Sequence, residues 1–125
     1  MKHDERRLHI AMSDWLNLAL PEGCEVSHFP AGEHRTKKTG ALLKRMGLKP
    51  GWPDFIGIWN GKPFGIEVKT EDGNGLSGSQ EEMLPRLVRA GMTICVATKL
   101  EDAEAFLRFL GIPLKAKVKE QARAA

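Results

Sequence analysis

The chain has 125 residues, 42% of them hydrophobic and 28% charged, with a net charge of +3, which fits one globular domain whose core is large enough to stand without disulfides. Its two cysteines, Cys24 and Cys95, exclude a disulfide framework and a thiolate metal cluster. No apolar run reaches transmembrane length, and the polar start Met1 to Arg7 lacks a signal-peptide core, so the expected compartment is the cytoplasm, with no membrane partner.

Residues 4–20 predict an amphipathic helix, because Leu8, Met12, Trp15, Leu16 and Ala19 recur at helical spacing before Pro21-Glu22-Gly23 ends it. Glu5 lies one turn before Leu8 and continues the apolar stripe. It reads either as a favourable first-turn charge or as a carboxylate aimed at a site, and Asp4 fits a neighbouring stripe almost as well. Cys24 to Phe29 reads as a short strand, broken by Pro30-Ala31-Gly32. The four histidines have no zinc spacing, and His28 and His34 flank what reads as a surface loop.

Thr39 to Met46 predicts a short helix with Ala41, Leu42, Leu43 and Met46 as its apolar positions. Around it lie Arg35, Lys37, Lys38, Lys44, Arg45 and Lys49, with no acid among them. Such a stripe suits a polyanion, and a solvated helix face is its bland reading.

Two apolar runs then flank Asn60-Gly61, the strongest short-range hairpin signal. Strands at about 54–59 and 63–70 are expected. A two-residue turn pairs Trp59 with Lys62 and runs back until Asp54 faces Glu67, whereas a three-residue loop would put Asp54 opposite Val68. Glu67 and Lys69 share a face, and Val68 takes the other. Opposed residues have Cβ atoms roughly 4.5–5.5 Å apart, so two carboxylates placed there repel each other. A divalent cation would turn that repulsion into ligation, with the Val68 carbonyl as a further donor and Lys69 beside it. The arrangement is the core of a metal-dependent phosphodiesterase site.

Glu71 to Gly75 is a turn, and Ser77 with Gln80 fits a capping box opening a helix to about Arg89. Gln80 can be a cap or can reach Lys69 or an attacking water, and the two roles exclude each other only in part. Thr93 to Ala97 predicts a buried strand, parallel to the Glu67 strand because the intervening helix makes a crossover. Glu101 to Leu110 predicts a helix with Ala105, Phe106, Phe109 and Leu110 inward, and Gly111 to Leu114 a short last strand. The domain is expected to close at residue 114, with Lys115 to Ala125 a frayed charged tail. The fold class is α/β, a mixed sheet flanked by helices.

Gly51-Trp52-Pro53-Asp54, Ile66-Glu67-Val68-Lys69, Gly75-Leu76-Ser77-Gly78-Ser79-Gln80 and Ala90-Gly91, in this order, resemble the motifs of the VRR-NUC family, a branch of the PD-(D/E)XK nucleases. Glu5-Arg6-Arg7-Leu8-His9 is similar to the family's first-helix motif. His28-Phe29-Pro30-Ala31-Gly32 is similar to a family loop but departs from its usual Asn-Gly at Ala31-Gly32. The resemblance covers roughly Glu5 to Leu114. It implies a restriction-endonuclease-like core, Mg2+ or Mn2+ as cofactor, and DNA phosphodiester hydrolysis. It also implies Asp54 and Glu67 as metal ligands, Lys69 as the catalytic lysine, and Gln80 and Glu5 in support. Stand-alone members resemble structure-specific endonucleases acting on branched DNA such as Holliday junctions, as homodimers. The alternative is a non-catalytic DNA-binding or assembly module that keeps the fold. A hydrolase acting on RNA is weaker, because the sequence offers no aromatic stacking motif of the RNA-module type.

Overall fold

A computed structural model describes residues 3–31, 35–73 and 75–118. In chain order the elements are α1 (His3–Ala19), β1 (Glu25–His28), α2 (Lys37–Arg45), β2 (Phe55–Trp59), β3 (Lys62–Val68), α3 (Gly78–Arg89), β4 (Thr93–Ala97) and α4 (Leu100–Phe109). The four strands form one mixed sheet in the order β1-β2-β3-β4. The β1–β2 and β2–β3 pairs are antiparallel and the β3–β4 pair is parallel, as the α3 crossover requires.

Strand alternation sends β3 side chains to two faces. Phe64, Ile66 and Val68 join Phe55 on one face, where Met12, Trp15, Leu16 and Ala19 of α1 and Ala103 and Leu107 of α4 cover them. On the other face a smaller cluster forms from Met83, Leu84 and Leu87 of α3 with Met92, packed against Ile56 and Ile94. Gly65 and Glu67 belong to that second face. A Cβ on Gly65 would come within 2.7 Å of Pro53 Cγ, so the missing side chain is what lets the Pro53 ring lie on the strand.

The hairpin turn has Asn60 at φ 51° and Gly61 at φ 76°, both left-handed, the two-residue geometry whose twist matches the strands. Its register runs from Trp59↔Lys62 to Phe55↔Ile66, as the two-residue reading requires. The capping box forms as well: the Gln80 N–H donates to Ser77 Oγ and the Ser77 N–H to Gln80 Oε1.

Elsewhere the chain departs from the sequence reading. Helix α2 starts at Lys37, because Thr36 caps it by accepting from the Thr39 N–H. None of its residues is buried: of the expected apolar positions Ala41, Leu42 and the C-cap Met46 are exposed and Leu43 is half-buried, because α2 lies outside both core clusters. In α4 the inward stripe is Ala103 and Leu107 with Phe106 and Leu110 half-buried, while Ala105 is exposed and Phe109 is 82% exposed. The expected stripe is therefore turned by about one residue, ~100° of helix. Strand β4 is an edge of the sheet rather than a buried strand, and of its five residues only Ala97 is buried. Gly111 to Leu114 adds no strand. It instead ties α4 to α1, with the Lys115 N–H donating to the Ala19 carbonyl at 2.7 Å. The chain stays docked to Val118, which is buried and donates its N–H to Glu104 Oε2. His34 and residues 119–125 lie outside the described residues.

Gly51 joins the loop before β2 to the start of α3. Its φ of 91° is left-handed, and a Cβ there would overlap the Ser79 carbonyl. Gly47, at φ 107°, has open space around its missing Cβ. Gly47→Ala is expected to cost about 1 kcal/mol, the backbone penalty alone, and Gly51→Ala about 2–4 kcal/mol, because overlap is added. Thermal melts compare them, and an equal loss in both would remove the overlap.

Candidate active site

Asp54 immediately precedes β2, and Glu67-Val68 closes β3. The hairpin register, continued one pair beyond Phe55↔Ile66, sets Asp54 opposite Glu67. Each carboxylate is tied to the other strand's main chain. The Asp54 N–H donates to Glu67 Oε1 at 3.2 Å, and the Val68 N–H donates to Asp54 Oδ2 at 2.8 Å. The second Glu67 oxygen, Oε2, accepts from Gln80 Nε2 at 2.6 Å and lies 3.4 Å from Lys69 Nζ. Gln80 thus caps α3 with its amide oxygen, as the capping-box reading expects, while its amide nitrogen goes to Glu67 rather than to Lys69.

Local structure explains why these groups meet. Gly51 presses on the Ser79 carbonyl and Pro53 lies on Gly65, so the loop carrying Asp54, the end of β3 and the first turn of α3 converge. Beyond Val68 the Lys69 N–H still pairs with the Ala97 carbonyl at 2.9 Å, so β4 fixes the lysine's main chain while Glu67 fixes its ammonium. The end of β1 adds a further hold. The Asp54 carbonyl accepts from the Phe29 N–H at 2.7 Å and from His28 Nδ1 at 2.9 Å, and the His9 ring meets His28 edge-on. His28 therefore holds Asp54 through the main chain, with its ring packed against His9 and Phe55 rather than lying in a surface loop. Local spacing could not reveal this, because its partner lies 26 residues away.

Glu67 is 2% exposed. Burial first, and then the charge of Asp54, push its pKa up from 4.5 to about 7, against the hydrogen bond from Gln80 and the charge of Lys69. A divalent cation would relieve both the desolvation and the like-charge repulsion. Asp54 Oδ1 accepts no hydrogen bond from the described residues and remains open to a metal. The Val68 peptide is pinned beside the pair by its own N–H. The donor set is hard oxygen throughout and fits Mg2+ or Mn2+.

Glu5 does not join it. Among the described residues no three His, Cys, Asp or Glu side chains converge on a metal position, so Glu5 is not brought into a ligand group with Asp54 and Glu67. It is half-buried on α1, whereas Asp4 is exposed beside His3.

Most of the basic stripe faces solvent. Lys37, Lys38, Lys44 and Arg45 are exposed on or at the ends of α2. Arg35 and Lys44 line one cleft, with Leu48 and Pro50. Lys49 and Pro50 line a second cleft of about 160 Å3 against Ser79, Glu82 and Arg86 of α3, next to Gln80. Arg86 escaped the sequence reading because the stripe ends at Lys49, and the fold alone brings α3 alongside it.

No family model and no curated protein matches the chain. A solved structure described as a VRR_NUC domain protein shares its architecture, with a TM-score of 0.64 and 22% identity over 83% of this chain and 84% of that one. The molecule is thus an α/β domain, a mixed four-stranded sheet with flanking helices. Its fold is VRR-NUC-like, as the motif resemblance implies. Among the described residues no helix is long and apolar enough to cross a membrane.

The raised pKa has a consequence for stability. Between about pH 4.5 and 7 folded Glu67 keeps a proton that the unfolded chain has released. In metal-free protein its contribution to stability is therefore expected to fall as pH rises through that window and to level off above it. Glu67→Gln should flatten this part of the curve and melt higher than the wild type near about pH 8. Melts in chelator check it, and parallel curves for the two proteins would show that Glu67 ionises freely.

Proposed function

We propose that this protein is a divalent-metal-dependent DNA endonuclease that hydrolyses phosphodiester bonds with Mg2+ or Mn2+. The observation that carries this reading is the cross-tied Asp54–Glu67 pair, with Gln80 and Lys69 both on Glu67 Oε2. The likeness in fold to a VRR_NUC domain protein supports it. Asp54 and Glu67, with the Val68 carbonyl, would hold the metal. When bound, a divalent cation polarises a phosphoryl oxygen and lowers the pKa of water. Gln80 restricts the Glu67 carboxylate to one rotamer. Lys69 keeps its ammonium at the same oxygen and offers positive charge to the phosphoryl oxygens as their charge grows. The basic residues of 35–49 hold the DNA backbone.

The proposed substrate is branched DNA such as Holliday junctions or flaps, cut by a homodimer. A four-way junction has two-fold symmetry and needs two cuts, which a two-fold pair of this chain would supply. The proposed compartment is the cytoplasm, where the two free thiols stay reduced.

A cleavage panel of duplex, single strand, flap, splayed arm and four-way junction, with Mg2+ and with Mn2+, tests this. Asp54→Ala and Glu67→Ala are each expected to lower the rate at least ~1,000-fold, and Lys69→Ala ~100- to 1,000-fold, with the fold retained in melts. Undiminished cleavage by either carboxylate variant would overturn the site. Metal binding by calorimetry without cleavage of any substrate would leave a DNA-binding assembly module instead.

Neutralising Lys37, Lys38, Lys44 and Arg45 together is expected to lower the slope of log affinity against log salt by ~0.9 for each phosphate that these side chains neutralise in the wild type. An unchanged slope would return the stripe to plain solvated surface.

A further inference from the structure

Phe29 and Trp52 stack, with ring centroids 5.4 Å apart and planes 19° from parallel. The pair borders the carboxylate centre through the main chain on both sides. The Phe29 N–H donates to the Asp54 carbonyl at 2.7 Å, and Trp52 precedes Asp54 by one intervening residue. Trp15, Phe55 and Phe64 are closed to water at 1%, 2% and 1% exposure, whereas Trp59 and Phe106 pack half-buried on the main core and Trp52 packs half-buried on the α3 cluster. Phe29 and Trp52 are both only half-buried. Two cations belong to the same loops. Arg35 donates to the carbonyl of Pro30, the residue after Phe29, and among the described residues no other acceptor holds its guanidinium donors. Lys49 stands shortly before Trp52 and lines the cleft against α3.

Half-exposed aromatic surface, edged by cations and set beside a phosphodiesterase-type centre, is complementary to a single nucleotide, with its base on the ring and its phosphates on the cations. A base in duplex is already stacked and paired and must give up both to reach such a surface, whereas an unpaired base gives up little. We propose that the Phe29–Trp52 stack is a platform for one unpaired nucleobase next to the scissile phosphate, with Arg35 and Lys49 taking adjoining phosphates. This rests on the DNA reading of the carboxylate centre and deepens it. The preferred DNA carries an unpaired nucleotide at the cut, as single strands, flaps and opened branches do and continuous duplex does not.

The test is equilibrium binding of the full chain in chelator, where no cleavage occurs. The probes are a labelled single strand, a fully abasic strand of the same length and charge, and the matching duplex. Wild type is expected to bind the base-bearing strand about 10-fold or more tighter than the abasic one. Trp52→Leu, which keeps apolar contact with the α3 cluster, should erase that preference while leaving abasic binding and its salt dependence unchanged. Trp52→Phe should keep most of it. Equal affinity of wild type for base-bearing and abasic strands overturns the platform and needs no variant. So does a folded Trp52→Leu protein that keeps the preference. Either result leaves the DNA reading standing, whereas no binding to any strand overturns that reading as well.

Discussion

Two carboxylates set opposite each other across a hairpin are the constraint around which this domain is organised. Asp54 and Glu67 are brought together by the Asn60-Gly61 turn and locked by reciprocal bonds to each other's strands. With Glu67 buried and Asp54 beside it, the pair opposes folding in its charged form, as the raised Glu67 pKa records. A sheet keeps such an arrangement only where the surrounding structure over-determines it. The determinants are visible: the Gln80 amide and the Lys69 ammonium on one oxygen, and Asp54's main chain held by Phe29 and His28.

The sheet divides the work between its faces. Phe64, Ile66 and Val68 bury against α1 and α4 on one side, at about 1.5–3 kcal/mol for each large apolar side chain, while the other side carries only the smaller α3 cluster. The opposite face of the same strand is narrow. Gly65 accepts Pro53, and Glu67 follows two residues on with α3 above it. Alternation along a single strand thus puts the best-packed and the least comfortable residues of the chain next to each other.

What the sequence made legible was local. The Asn-Gly turn, the Ser77/Gln80 capping box, the α1 stripe and the parallel β3–β4 pair follow from rules that act within a few residues or through one crossover. Errors arose where tertiary context decides. The apolar positions of α2 are not buried, because no core element lies beneath them. The α4 stripe is rotated, because Leu100 and Ala103 rather than Phe109 set its inward side, and the segment after Leu110 docks as coil on α1. At the site the carboxylate pair was readable from register. Its supports from β1 were not, since His28 and Phe29 reach Asp54 from far away in the chain, and Glu5 does not converge on the pair as the first-helix resemblance implies. The Phe29–Trp52 stack was hidden for the same reason: stacking needs two rings, and each alone reads as an ordinary loop aromatic.

Charge sets the basic residues and the carboxylate centre against each other. With both carboxylates ionised and Lys69 protonated, the centre holds one net negative charge, and a phosphodiester would bring another. Across the Debye length, about 10 Å at 0.1 M salt, the cations of α2 and the Arg35, Lys49 and Arg86 side chains would attract a polyanion. At contact distance the carboxylates repel it. The two ranges have opposite signs, so attraction at a distance gives way to repulsion at the two carboxylates. One divalent cation at the open Asp54 oxygen would cancel the charge of the centre and the phosphate together. On the proposed reading, binding would follow the stripe and salt and cleavage would follow the ion, with Lys69 beside the carboxylates at 3.4 Å from Glu67 Oε2.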